Sequence, residues 1–335
     1  MFKTRPIGTT DLHTTEFGLG GTGIANMYQA VSDEDAWGAL ETAWDGGVRF
    51  FDTAPLYGYG LSERRMGDFL RTKKPDEYIL SSKVGRLLRP GERNDPNDGF
   101  DSPMPFFVEY DYSYDGAMRS FEDSLQRLGL DHIDVVLIHD IDIYTHGEED
   151  QPKMFRAAMD GAIKALEQLR SEGVVGAIGL GVNEWPVCEA ALKYADLDGI
   201  LLAGRYTLLE QTAIETFLPI CLERKVSIFL GGVFNSGLLI DPYADNATYN
   251  YQTADPEIVQ TARQIADICQ THQVPIQAAA LQFPLRHPAI ASVLSGARSA
   301  REVSEITAWM SQDIPAQLWE DLRMAGLMHQ AAPTT

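Results

Sequence analysis

The chain has 335 residues, of which 44% are hydrophobic, 10% aromatic and 22% charged, a composition that excludes collagen-like, disulfide-framework and disordered classes. With 27 basic against 48 acidic residues, the net charge of −21 repels phosphate backbones and anionic membrane surfaces, so neither nucleic acid nor membrane is expected as a partner. Cys188, Cys221 and Cys269 lie far apart in apolar helical stretches, with no signal-peptide core and no apolar run of about 18 residues, so the expected location is a reducing cytoplasm.

Short β-rich runs alternate along the chain with longer segments of helical period. The first strand falls at 17–19. Ser32 caps a helix that opens with Asp33, Glu34 and Asp35, acids suited to a positive helix N-terminus, and that places Trp37, Leu40 and Trp44 on one face. Gly46 and Gly47 end it, 48–51 reads as a strand, and Asp52 sits where that strand runs out. Later strands fall at 78–82, 133–139, 175–181, 199–202, 226–230 and 290–294, with helices at about 62–71, 114–128, 153–171, 186–195, 212–224, 256–272 and 301–311. This alternation predicts an α/β fold, a (β/α)8 TIM barrel over 1–335 as a single domain, whose chemistry gathers on the loops after the strands' C-terminal ends. Two excursions, 86–112 and 231–254, break the rhythm and are expected to lie as lids over that face. The first carries Phe106, Phe107 and Tyr110.

Gly18-Leu19-Gly20-Gly21-Thr22-Gly23 matches GxGxxG, yet the first helix cap is Ser32, too far on for a turn that must open a helix against a pyrophosphate. It reads instead as a first loop whose backbone can approach a ligand closely. His139, Asp140, Asp142, His146, Glu148, Glu149 and Asp150 lack any HxxxH spacing, so they read as an acidic loop and no metal is expected. At strand ends stand Asp52, Tyr57, Lys83 and His139. Each alone has a plain reading, as a turn cap, a rim aromatic, a solvated head and a core histidine. On one face of a barrel their chemistry is complementary: Asp52 holds Lys83 charged, Lys83 draws the Tyr57 phenol below its reference pKa of about 10, and His139 orients a substrate oxygen. The alternative use of Lys83, as a Schiff-base nucleophile of an aldolase, is opposed by its pairing with Asp52.

In FFDTAPLYGYGLSERRMGDFLR, YILSSKVGRLL, LGLDHIDVVLIHD and SGARSAREVSEI the chain resembles the aldo-keto reductase superfamily over nearly its whole length. The resemblance implies a barrel that binds a nicotinamide cofactor, with Tyr57 transferring the proton, Asp52 and Lys83 tuning it, and His139 orienting the substrate. It also implies cofactor contacts from Asn183, from Gly232, Val233, Phe234, Asn235 and Ser236 after the seventh strand, and from Gly296, Arg298 and Glu302. The chain departs from the family pattern at Val182, Ala203 and Gly231 around the nicotinamide, where Tyr206 and Phe234 are the aromatics left to compensate. Near the adenosine ribose it carries Glu302 and Ile306. A carboxylate at 302 repels a 2′-phosphate, which favours NAD over NADP, while Arg298 and Arg301 argue the other way.

Within the superfamily, DTAPLYGYGLSERRMG, AGRYTLLEQ and GGVFNSGLL are most similar to bacterial aldose 1-dehydrogenases acting on L-fucose, D-arabinose or L-galactose, and to pyridoxal 4-dehydrogenases. The resemblance therefore implies oxidation of a sugar at C1 to a lactone, or of pyridoxal as its cyclic hemiacetal. Trp185, Arg205, Tyr57 and His139 are the expected substrate contacts, joined by the aromatics of the first excursion. A different class stays open, a cofactor-sensing regulatory subunit with little turnover.

Overall fold

A computed structural model describes residues 2–250 and 252–334. Eight parallel strands close into a barrel in chain order: β1 (Phe17–Gly20), β2 (Phe50–Asp52), β3 (Ile79–Val84), β4 (Val135–His139), β5 (Ala177–Val182), β6 (Gly199–Ala203), β7 (Ser227–Gly231) and β8 (Ile290–Gly296), with β8 pairing back onto β1. Around it run α1 (Asp33–Asp45), α2 (Leu61–Leu70), α3 (Tyr114–Leu128), α4 (Ile143–Ala157), α5 (Trp185–Ala191), α6 (Phe217–Arg224), α7 (Pro256–Thr271) and α8 (Ala300–Met310). The molecule is thus the (β/α)8 barrel that the alternation of elements predicts.

Local chemistry accounts for several element ends. The Ser32 hydroxyl accepts a hydrogen bond from the Asp35 N–H at 3.0 Å, so α1 starts where its capping residue and first-turn acids place it. Ser113 caps α3 in the same way, and Gly129, at φ 64°, closes it. Inside the barrel Phe50 and Phe229 meet with ring centroids 4.9 Å apart among Ile79, Val135 and Leu137. A second, larger apolar layer lies between strands and helices.

Five regions differ from the sequence expectations. An antiparallel N-terminal hairpin (Thr4–Pro6 with His13–Thr15) precedes the barrel, and Ile7 from its turn joins the interior cluster. The acidic segment after His139 is helical: the Asp142 side chain accepts from the Thr145 N–H, and α4 runs on past a break at Gly147 and through Pro152. A wider turn at Ala158–Ala162 joins it to a helix at Ile163–Ser171, replacing the single helix expected at 153–171. Gly and Pro are the poorest helix formers, which hid this continuity. The 86–112 excursion contains a hairpin of Arg86–Pro90 with Phe106–Tyr110, and 231–254 contains a two-residue ladder of Thr248–Tyr249 with Gln252–Thr253. Two further helices, Ile276–Gln282 and Ala316–Met324, complete the C-terminal third.

Candidate active site

Asp52 and His139 are the last residues of β2 and β4, and Lys83 is the penultimate residue of β3, so three adjacent strands deliver them to one end of the barrel. Lys83 Nζ donates to both Asp52 carboxylate oxygens and to the Thr53 carbonyl, each at 2.9 Å. The Ser81 hydroxyl adds a bond to Asp52 Oδ1 at 2.7 Å. Burial pushes the Asp52 carboxyl up, against the charge and hydrogen bonds of Lys83. Both partners are almost wholly buried, so the pair depends on this complete set of bonds. A Cβ on Gly181 in β5 would stand 3.1 Å from Lys83 Cε, so the glycine there makes room for the lysine stem.

Tyr57 follows β2 on a turn whose next three residues, Gly58, Tyr59 and Gly60, all have positive φ. Tyr59 is an uncommon residue for that conformation. It is held by a 2.6 Å bond from its hydroxyl to Asp98 in the first excursion. The turn brings the Tyr57 ring centroid to 4.6 Å from Lys83 Nζ and 6.1 Å from the His139 ring, edge to face. The four residues singled out in the sequence therefore form one cluster. Burial, aided by the charges of Arg86 and Lys83, holds His139 well below the usual histidine range, so its imidazole is neutral at physiological pH.

From Tyr57 a cleft of about 660 Å³ runs across the barrel end to α8. Gly232, Val233, Phe234, Asn235, Ser236, Gly296, Arg298 and Glu302 line it, as does the glycine-rich first loop through Gly20, Thr22 and Gly23. A Cβ on Gly23 would meet the Ala297 carbonyl at 2.5 Å, so the two loop backbones approach as only glycine allows. The buried Asn235 Oδ1 has no hydrogen-bond partner among the described residues. An elongated groove with backbone walls and an unsatisfied amide suits a dinucleotide. At its far end Glu302 grips Arg298, accepting from the guanidinium at 2.7 and 3.0 Å and from the Arg298 N–H at 2.9 Å. Burial raises the Glu302 carboxyl, but these bonds and the charges of Arg298 and Arg301 outweigh it and leave it below its ordinary value. Arg301 pairs with Glu305 at 3.6 Å.

Other expected residues lie elsewhere. Trp185 stacks on Phe217 and donates to Thr212 Oγ1 rather than lining the cleft. Arg205 bonds the Asn183 carbonyl at 2.8 Å and Asn250 Oδ1 at 3.0 Å, tying the second excursion to the loop after β5. Tyr206 is fully buried against Phe283 and His287, so it does not compensate at the nicotinamide, whereas Phe234 lines the cleft and packs edge-on against Trp309. Of the excursion aromatics, Phe106 joins the cluster that supports Tyr57.

Sequence reasoning missed Met27, Tyr28 and Trp309 in the cleft lining. Tyr28 is positioned by contacts between the first loop and the first excursion, including its N–H to the Gly99 carbonyl at 2.7 Å. It also missed the burial of Arg86 and Asp140 beside His139. No local pattern announces either feature, since both arise from packing between distant segments.

A profile of the Aldo/keto reductase family matches residues 16–325. The chain belongs to the aldo-keto reductase family. A pyridoxal 4-dehydrogenase of Microbacterium luteolum is 42% identical over 334 residues, covering 97% of each chain. A D-threo-aldose 1-dehydrogenase of Pseudomonas sp is 41% identical over 337 residues, covering 98% of this chain and 99% of that one. Among solved structures, the holo form of an aldo-keto reductase from Bacillus halodurans superposes with a TM-score of 0.77 at 25% identity, covering 99% of this chain and 98% of that one. This aldo-keto reductase is accordingly an oxidoreductase, and its family uses NAD(H) or NADP(H).

Proposed function

We propose that the protein oxidises a cyclic hemiacetal, foremost an aldose of the L-fucose, D-arabinose or L-galactose type, at C1 to its lactone with NAD. The observation that carries this reading is the Asp52–Lys83–Tyr57–His139 cluster at the inner end of a dinucleotide-shaped cleft. NAD, when bound, supplies the hydride acceptor. Tyr57, its phenolate favoured by the nearby Lys83 charge, takes the proton of the anomeric hydroxyl as the C1–H bond breaks. Neutral His139 holds the reacting oxygen by a hydrogen bond. Asn183 and residues 232–236 hold the nicotinamide and pyrophosphate, and Gly296 and Arg298 the adenosine end.

Preference for NAD over NADP rests on Glu302 and Glu305, which engage the two arginines of the groove that would otherwise grasp a 2′-phosphate. A second reading, pyridoxal oxidised as its hemiacetal to 4-pyridoxolactone, is favoured by Tyr28, Tyr57 and Met27 at the substrate end, where a flat ring can stack. The relatives of the two activities are 42% and 41% identical to this chain. A sugar deuterated at C1 tests the reaction: its label appears in NADH, with a primary isotope effect on single turnover. Label retained in the sugar product contradicts hydride transfer from C1.

A further inference from the structure

The loop between β1 and α1 carries two non-glycine residues in the left-handed region, Asn26 at φ 68° and Tyr28 at φ 67°. Residues stay in that conformation only where their surroundings over-determine it. Part of the restraint comes from the first excursion, which lies antiparallel to the loop. The Asn26 carbonyl accepts from the Asp101 N–H at 2.9 Å, Met27 bridges to Phe100, and the Tyr28 N–H donates to the Gly99 carbonyl at 2.7 Å. The loop is also seated on the turn that carries Tyr57. A Cβ on Gly58 would stand 2.7 Å from the Ala25 carbonyl, and Met27 and Tyr57 pack on the same cluster of Ala25, Tyr59, Phe100 and Val108.

The rest of the restraint comes from one side chain. Arg65 reaches from α2 to the loop and uses all five of its N–H groups there. Nη1 donates to the Ile24 carbonyl at 2.6 Å and to Asn26 Oδ1 at 3.1 Å. Nη2 donates to the Val31 carbonyl at 2.8 Å and to Asp33 Oδ1 at 2.7 Å, and Nε to the same Asp33 oxygen at 2.9 Å. Asn26 Oδ1 accepts the Val31 N–H as well, at 3.0 Å, so the chain on both sides of Tyr28 converges on one guanidinium. Asp33 is 90% exposed and its ion pair adds little, whereas the Arg65 side chain is only 13% exposed and its bonds to the two carbonyls and the Asn26 amide fix the loop's shape. An ammonium, with three donors around a point, does not reproduce that planar fork.

On this fixed backbone the Tyr28 ring is left open. It lines the cleft together with Tyr57, yet Tyr28 is 62% exposed. A single exposed aromatic is ordinary on a protein surface. One at the mouth of a cleft, on a backbone that is already ordered, offers a ring face that a ligand can cover at little further entropic cost. We infer that Arg65 is a positioning residue that fixes residues 24–33 so that Tyr28 stands at the cleft mouth as a preformed stacking face for the ring of a cyclic substrate. Resting on the dehydrogenase reading, this makes Tyr28 a determinant of substrate affinity and Arg65 its remote support, with no contact between Arg65 and the substrate.

The test replaces Tyr28 with alanine and Arg65 with lysine, singly and together, in the full chain. With NAD and whichever of L-fucose and pyridoxal is turned over faster, Tyr28→Ala should raise KM about tenfold through loss of the stack and its covered area, with kcat changed far less and the NAD dissociation constant unchanged. Tyr28→Phe, which keeps the ring, should recover most of that loss. Arg65→Lys should raise KM in the same sense, and the double variant should be no worse than Tyr28→Ala, because Arg65 acts through Tyr28. Additive KM losses in the double variant, or a Tyr28→Ala loss that falls on kcat or on NAD binding, overturn the proposal. A measurement without substrate separates its failure from that of the dehydrogenase reading. In the 19F spectrum of the 3-fluorotyrosine-labelled chain, with the Tyr28 line identified by its absence in Tyr28→Phe, Arg65→Lys should shift or broaden that line, and an unmoved line overturns the role of Arg65 whether or not any substrate is turned over. If Arg65→Lys does not fold, Asp33→Ala, which removes the exposed acceptor of two of the five bonds, should move the same line by a smaller amount, and an unmoved line there counts equally against the proposal.

Discussion

Replacing Lys83 with methionine keeps the aliphatic stem in the space that Gly181 provides but removes three hydrogen bonds of 2.9 Å, two of them to Asp52. Asp52 then retains the Ser81 hydroxyl but loses the positive charge of Lys83. Stripping one partner from a buried ion pair costs about 3–5 kcal/mol, a large share of the ~5–15 kcal/mol that holds a protein of this kind folded. The loss should depend on pH with a defined sign. Burial already raises the Asp52 carboxyl, and without Lys83 only the Ser81 hydrogen bond still opposes that rise, so the folded variant binds a proton that the unfolded chain releases above about pH 4. Stability relative to wild type therefore falls as pH rises through the interval between the unfolded and folded values, by up to about 1.4 kcal/mol per pH unit. Urea unfolding at pH 5 and pH 8 measures this, with the larger deficit at pH 8. The double variant Asp52→Leu/Lys83→Met, which buries no charge, should recover most of the pH 8 loss while remaining inactive. Additive losses in the double variant, or a Lys83→Met deficit that does not change with pH, would refute the reasoning.

Tyr57→Phe should lower kcat by roughly 10²–10⁴-fold and leave the NAD dissociation constant nearly unchanged; a parallel loss of both would mean that the tyrosine holds cofactor rather than moving a proton. Glu302→Gln frees Arg298 from its carboxylate, and a charged hydrogen bond to the 2′-phosphate worth ~1.5–3 kcal/mol should tighten NADP binding about tenfold or more in calorimetry. Unchanged nucleotide selectivity would place the 2′ position elsewhere. Burial depresses His287 to about 4, so the folded state refuses a proton that the unfolded chain accepts below about pH 6.5, and stability should fall as pH drops through that window by up to about 3 kcal/mol. Denaturation at pH 7 and pH 4.5 should show a smaller drop in His287→Gln than in wild type, and equal drops would contradict it.

The barrel was legible because its cues are local. Ser32 and Ser113 announce helix starts, Gly129 a helix end, and alternating apolar runs the strands that terminate in Asp52 and His139. Once strand ends are located, a barrel brings their polar residues to one face, which is why the cluster could be assembled from sequence. What escaped depends on contacts between distant segments. The pairing of Arg86–Pro90 with Phe106–Tyr110 spans too long a connection to carry a hairpin turn signal. Trp185 and Tyr206 have the chemistry of site aromatics, and only the packing of Phe217 and Phe283 shows that they serve the surrounding core. Asp140 reads as one more acid in an acidic run until Arg86 and Asn183 are seen to enclose it.

The account's central claim is tested most directly by NADH formation from NAD or NADP by the purified protein with L-fucose, D-arabinose, L-galactose and pyridoxal, at neutral and mildly alkaline pH. The account predicts turnover of a hemiacetal substrate, fastest with one of the sugars, and faster with NAD than with NADP. No turnover of any hemiacetal in either nucleotide, by a protein that still binds NAD, would contradict it.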